Sequence, residues 1–113
     1  MDTFVCALHY NLATYYGGLC VTKERLYFKK VLGRDPVMSL RFTEIRSLNK
    51  NQVSAIPGSK EGHSIECTSF DGRVFVFKGL LHREELIRLI NAMLAKLNTN
   101  HTIQLLIGGE PIP

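Results

Sequence analysis

Residues Arg73 to Leu97 read RVFVFKGLLHREELIRLINAMLAKL, and this stretch decides the fold. The run Val74-Phe75-Val76-Phe77 is too short for a helix and rich in β-formers, so it reads as a strand. At Gly79 the pattern changes. Leu86, Leu89, Ile90, Met93, Leu94 and Leu97 then recur at helical spacing and predict one amphipathic face. Glu84 and Glu85 complement the positive end of that helix and Lys96 the negative end. The start is expected near His82, and Asn98 and Asn100 are expected to end the helix.

Everything before Arg73 has the period of strands. Phe4, Cys6, Leu8 and Tyr10 alternate with Thr3, Val5, Ala7 and His9 over residues 3–10. Asn11 to Tyr16 reads as a connection, with Gly17-Gly18 supplying backbone freedom before Leu19–Thr22. Lys23-Glu24 joins that strand to Arg25–Phe28 as a tight turn, or as a longer one, since neither residue favours positive φ. After the turn Leu32-Gly33-Arg34-Asp35-Pro36, the side chains of Met38, Leu40 and Phe42 share a face. Thr43-Glu44 marks a corner, and Ile45 with Leu48 breaks the period of two, which predicts a bulge. Residues 51–62 form the longest irregular loop. Ile65 and Cys67 face inward on the next strand, and Asp71-Gly72 is the strongest hairpin signal. The fold class is therefore mainly β with one C-terminal α-helix, a bent barrel or sandwich capped by that helix. We expect one domain over residues 3–98. The tail at 99–113 is either disordered or contains a docking strand at Ile103–Ile107.

Composition narrows the function. A chain of 113 residues, 45% hydrophobic and 21% charged, is in the range of one ordinary globular domain. No apolar run approaches the roughly 20 residues that span a bilayer, and Met1-Asp2-Thr3 does not open a signal peptide. Three cysteines (Cys6, Cys20, Cys67) lie in strand-like segments and read as buried, reduced thiols of a cytoplasmic protein. Cys6 and His9 fall on opposite faces of one strand, so they cannot share a metal. No histidine, glycine or carboxylate arrangement makes a catalytic or phosphate-loop constellation. Neither enzyme activity nor a metal or cofactor is expected.

Charge is the informative feature. Between Lys23 and Lys50 eight basic residues stand against three acidic ones, while the rest of the chain carries six against seven. The whole positive excess of +4 lies in that stretch and would draw an anionic surface. Lys29, Lys30 and Arg34 end one strand and enter the following turn, so their side chains can converge on one rim. Lys23, Arg25 and Arg41 are secondary candidates. Lys23 lies some 20 Å away at about 3.3 Å per residue, so the cations cannot share one pocket. Single-strand nucleic-acid binders interleave exposed aromatics with their basic residues. Here Tyr27 and Phe28 are adjacent in a strand and only one can face out, so no nucleic-acid partner is expected.

Taken in order, Phe4–Leu8, Gly18–Thr22 with Arg25–Phe28, Leu40–Lys50, Ala55-Ile56-Pro57, Ile65–Thr68 and Phe75–Glu85 resemble the GRAM domain. That family is a branch of the pleckstrin-homology-like superfold. The resemblance covers more than four fifths of the chain and implies a seven-stranded bent barrel with a C-terminal helical plug. It implies a non-catalytic, peripheral membrane module that binds anionic headgroups such as phosphoinositides or phosphatidylserine. The alternative it carries is a protein-interaction scaffold in membrane trafficking or GTPase regulation, contacting partners through a strand edge or the 51–62 loop. The family supplies no invariant lipid-binding motif, so Lys29, Lys30 and Arg34 rest on charge and spacing. Two features depart from the family pattern. The chain lacks the usual leading segment with Leu-Pro and acidic residues, which would leave a strand edge for the tail to cover, and it has no Trp.

Overall fold

The computed structural model describes residues 2–50, 63–97 and 100–111. The 51–62 loop lies outside the described residues. Nine strands form one open sheet: β1 (Asp2–Tyr10), β2 (Ala13–Val21), β3 (Arg25–Lys30), β4 (Met38–Arg41), β5 (Ile45–Lys50), β6 (Ile65–Ser69), β7 (Val74–Lys78), β8 (Gln104–Ile107) and β9 (Glu110–Pro111). Their spatial order is β4-β3-β2-β1-β7-β6-β5-β8-β9. The first seven are the strands that the sequence resemblance implies, and the sheet stays open, as in a pleckstrin-homology-like sandwich. Helix α1 (Arg83–Lys96) follows β7.

Why one face is buried follows from the alternation. Leu8, Leu19, Leu26, Phe28, Leu40, Phe75 and Phe77 all point to a single core and are essentially inaccessible. Phe28 and Phe77 come from strands far apart in the sheet, yet their ring centroids are 6.3 Å apart. The sheet therefore folds over on itself. Helix α1 closes the concave side with Leu86, Ile87, Ile90 and Leu94, and Leu89, Met93 and Leu97 pack at its margin. Ile87 is the addition to the stripe read from the sequence; a stripe wider than 100° takes in a neighbouring position. The helix ends at Lys96, where Leu97 N–H donates to Leu94 O.

Several junctions follow the expected chemistry. The bulge falls between Ile45 and Ser47. Phe42–Glu44 is a single 3₁₀ turn at the expected corner. The Lys23-Glu24 turn needs no positive φ, because Thr22 Oγ1 accepts from the N–H groups of both Glu24 and Arg25. Asp71-Gly72 closes the β6–β7 hairpin, where Ser69 Oγ bonds Asp71 and the Arg73 guanidinium grips the same carboxylate at 2.8 Å. That guanidinium, helped by Ser69, holds Asp71 down at about 2.

One segment differs from its sequence reading. Ala13–Tyr16 is strand, not connection, and Gly17-Gly18 lies inside β2 rather than before it. The true turn is Asn11-Leu12, both in the left-handed region at φ 53° and 66°. Two consecutive positive φ values give the tight twist that joins long strands directly. Asparagine tolerates this conformation and leucine does not.

The tail contributes β8, which runs parallel to β5 with Leu48 opposite Leu105. Gly108 N–H donates to Lys50 O, and Gly109 N–H to Asn49 Oδ1. His101 Nε2 lies 2.9 Å from Ile45 O. Residues far apart in sequence thus cover the open side of β5.

Leu12 is fully exposed, so its strained backbone is compensated by no packing. Leu12→Gly should raise stability by about 0.5–1 kcal/mol in urea unfolding, since relief of the left-handed strain exceeds the added chain entropy. Ile90→Ala should lower it by about 2–5 kcal/mol, because it opens a cavity between helix and sheet.

Candidate functional site

The β3–β4 connection is built from β3 upward. Alternation places Leu26 and Phe28 in the core and sends Tyr27 and Lys29 to the convex face. Beyond Phe28 the chain leaves the core, and Lys29 and Lys30 are both exposed. Two backbone bonds then clamp the connection. Val31 N–H donates to Tyr16 O at 3.0 Å, and Val37 N–H to Phe28 O at 2.8 Å. Between them Leu32-Gly33-Arg34-Asp35-Pro36 stands clear of the sheet. Gly33 has φ +144°, a conformation that favours glycine. The Lys30 side chain lies across it, and a β-carbon there would sit 3.1 Å from Lys30 Cε and 3.8 Å from its Nζ.

The sequence-derived cations divide into two groups. Lys29 and Lys30 line the same shallow groove, and Arg34 follows the glycine over which Lys30 folds. Among the described residues no carboxylate forms an ion pair with any of the three. Arg25 and Arg41 face each other across β3 and β4, and Arg25 donates to Ser39 Oγ at 3.0 Å. Lys23 belongs to the turn at that same end, in a hollow it shares with Glu24, Met93 and Lys96. At about 3.3 Å per residue, Arg25 sits roughly 13 Å along the strand from Lys29 and Lys23 roughly 20 Å. Lys50, counted in the basic stretch, is occupied: its ammonium pairs with Glu84 in the first turn of α1.

Sequence reasoning missed the groove itself. It occupies about 430 Å³ on the convex face of β1, β2 and β3. Register explains it. Val5, Gly18 and Lys29 stand side by side across the three strands, and Thr3, Cys20 and Tyr27 form the next row. Gly18 has no side chain, so Val5 and Lys29 become the walls of a trough. Gly17 has a different role: a β-carbon there would lie 2.0 Å from Lys29 O. The glycine lets the strand carrying Lys29 approach. No local pattern marks these neighbours; only strand register reveals them.

Of the three thiols only Cys20 lines the groove; Cys6 and Cys67 are not chemical groups of this site. Cys6, Cys20 and Cys67 are free and buried. Burial pushes Cys6 and Cys67 up to about 12, so both are neutral at physiological pH. Thr3 Oγ1 and Cys20 Sγ are 3.6 Å apart.

A model of the GRAM domain matches residues 1–99, nearly nine tenths of the chain. The chain belongs to the GRAM domain family. GRAM domains are membrane-lipid or protein interaction modules. Among solved structures, the C-terminal domain of an unknown protein from Leishmania infantum is similar, with a TM-score of 0.64 and 21% identity. That match covers 83% of each chain and supports the fold. No curated protein matches. Within this GRAM domain no described helix is long and apolar enough to cross a membrane.

The two adjacent glycines should respond differently to substitution. Gly17→Ala forces backbone against backbone and should cost several kcal/mol or prevent folding. At Gly18 the β-carbon meets only the exposed Thr3 methyl at 2.6 Å, which can swing away. Gly18→Ala should cost about 1 kcal/mol or less. Parallel urea titrations of the two variants check the difference.

Proposed function

We propose that this GRAM domain is a non-catalytic, cytoplasmic module that targets membranes by reading anionic lipid headgroups, phosphoinositide or phosphatidylserine. Lys29, Lys30 and Arg34 meet the headgroup. Lys23, Arg25 and Arg41 add to the long-range field from the other end of β3. The observation that supports the reading is that Lys29 and Lys30 line one groove and Arg34 follows in the same clamped, exposed connection, with no ion-paired carboxylate on any of them among the described residues. Asp35 adjoins Arg34 but makes no ion pair with it among the described residues, so the net charge of this connection stays positive and available to a ligand. Each cation near an anionic surface contributes about 1 kcal/mol, so the attraction is modest and sensitive to salt.

A second reading is favoured by the open sheet. Among the described residues strand β4 is an edge, with a neighbour on one side only. A protein partner in membrane trafficking or GTPase regulation could add a strand there, as many recognition modules allow.

Vesicle flotation separates the two. The natural protein should float with vesicles containing phosphatidylserine or phosphoinositide and not with neutral ones. Charge reversal at all three positions (K29E, K30E, R34E) should weaken binding by about a hundredfold or more. Binding indifferent to anionic lipid, or unchanged by the triple reversal, would sink the lipid reading.

A further inference from the structure

The cations surround an apolar point that headgroup binding does not use. Val31 is 77% exposed and Leu32 85% exposed, immediately after Lys29-Lys30 and two residues before Arg34. Tyr16 is 69% exposed, and its carbonyl holds the Val31 N–H, so the two residues are cross-strand neighbours at the same point. Val5, 82% exposed, forms the far wall of the groove. Single exposed apolar residues are ordinary on protein surfaces. Two consecutive branched aliphatics at the protruding end of a basic connection, with a tyrosine alongside, are a patterned surface.

We infer that Val31 and Leu32 form a wedge that enters the acyl region of a bilayer beneath the headgroups held by Lys29, Lys30 and Arg34. The ligand is then a lipid within a membrane and not a free phosphate. This inference rests on the lipid reading above and extends it to depth and source. Charge complementarity selects the occupant. The apolar tip is flanked by cations on both sides, which matches an anionic interface lying above hydrocarbon. Lysine and arginine stems can run along apolar surface while their charged ends stay at the phosphates. Tyrosine is enriched at that same depth, where its ring is apolar and its hydroxyl is wet. A soluble polyphosphate would engage the cations and leave Val31 and Leu32 in water. The clamps at Val31 and Val37 hold the tip outside the sheet, so insertion needs no unfolding of β3 or β4.

The chain has no tryptophan, so one introduced indole is a clean reporter. With vesicles containing phosphatidylserine or phosphoinositide, L32W should shift its emission to the blue and be quenched by lipids brominated on their acyl chains. The double variant V31S/L32S should bind about tenfold more weakly or worse, and the binding that remains should be more sensitive to salt. Its thermal midpoint, unchanged from the natural protein, would show that these exposed positions leave the fold intact. Insertion is overturned if the natural protein binds anionic vesicles while V31S/L32S binds equally and the indole neither shifts nor quenches. In that case the electrostatic reading survives. Soluble inositol trisphosphate binding as tightly as the vesicles would overturn the commitment to a membrane lipid. No vesicle binding by the natural protein overturns both, and points instead to an acidic protein surface.

Discussion

The structure depends on one burial. An antiparallel sheet this long has a face that cannot be left in water, and here it is folded around Phe28, Phe42, Phe75 and Phe77, all inaccessible. Helix α1 covers the opening with Leu86, Ile87, Ile90 and Leu94. Each such side chain contributes about 1.5–3 kcal/mol by leaving water. A surface ion pair such as Asp71–Arg73, screened by solvent, contributes far less than any one of them. The core therefore decides stability, and the convex face and rims are left to other uses. Because helix and concave sheet cover each other, the apolar faces they bury together are not free to meet a partner. Function is displaced outward by packing.

The convex side of β1, β2 and β3 shows what that displacement permits. Gly17 removes the one atom that would keep Lys29 O away, and Gly18 leaves a trough between Val5 and Lys29. Glycine normally weakens a strand interior. Here the loss is offset by the β1–β2 ladder, nine residue pairs long from Asp2 to Tyr10. A long hairpin can carry two glycines that a short one could not.

How much of this was legible in the sequence depended on how local each signal was. Strands β1, β6 and β7 and the helix carry their own periodicity, and Asp71-Gly72 is a turn in any context. The Gly17-Gly18 pair misleads because glycines usually interrupt strands, and Asn11-Leu12 hides because leucine is a poor choice for φ 66°. Ile87 is taken into the core by the width of the helix stripe. The pairing of β8 with β5 has no local signature, since parallel partners find each other only through the folded core. For the proposed site, Lys29, Lys30 and Arg34 are neighbours in sequence, so the proposal that groups them starts from the sequence itself. Tyr16 and Val5 join them only through register, which one strand's pattern does not encode.

Magnitudes connect the two halves of the site. Three cations at about 1 kcal/mol each give about 3 kcal/mol, roughly a 150-fold preference for an anionic surface. Micromolar binding needs about 8 kcal/mol. Partial burial of a valine and a leucine, at about half of their full transfer value, adds about 1.5–3 kcal/mol together. Cations alone thus make an encounter that salt dissolves, and the apolar tip alone would not distinguish one membrane from another. On the proposed reading, the two joined on one clamped connection would select by charge and be retained by burial, and would still fall short of stable anchoring. The remaining few kcal/mol would then have to come from a second membrane contact acting at high effective concentration. A domain whose single-site affinity stops below that threshold responds to the density of anionic lipid rather than to its mere presence.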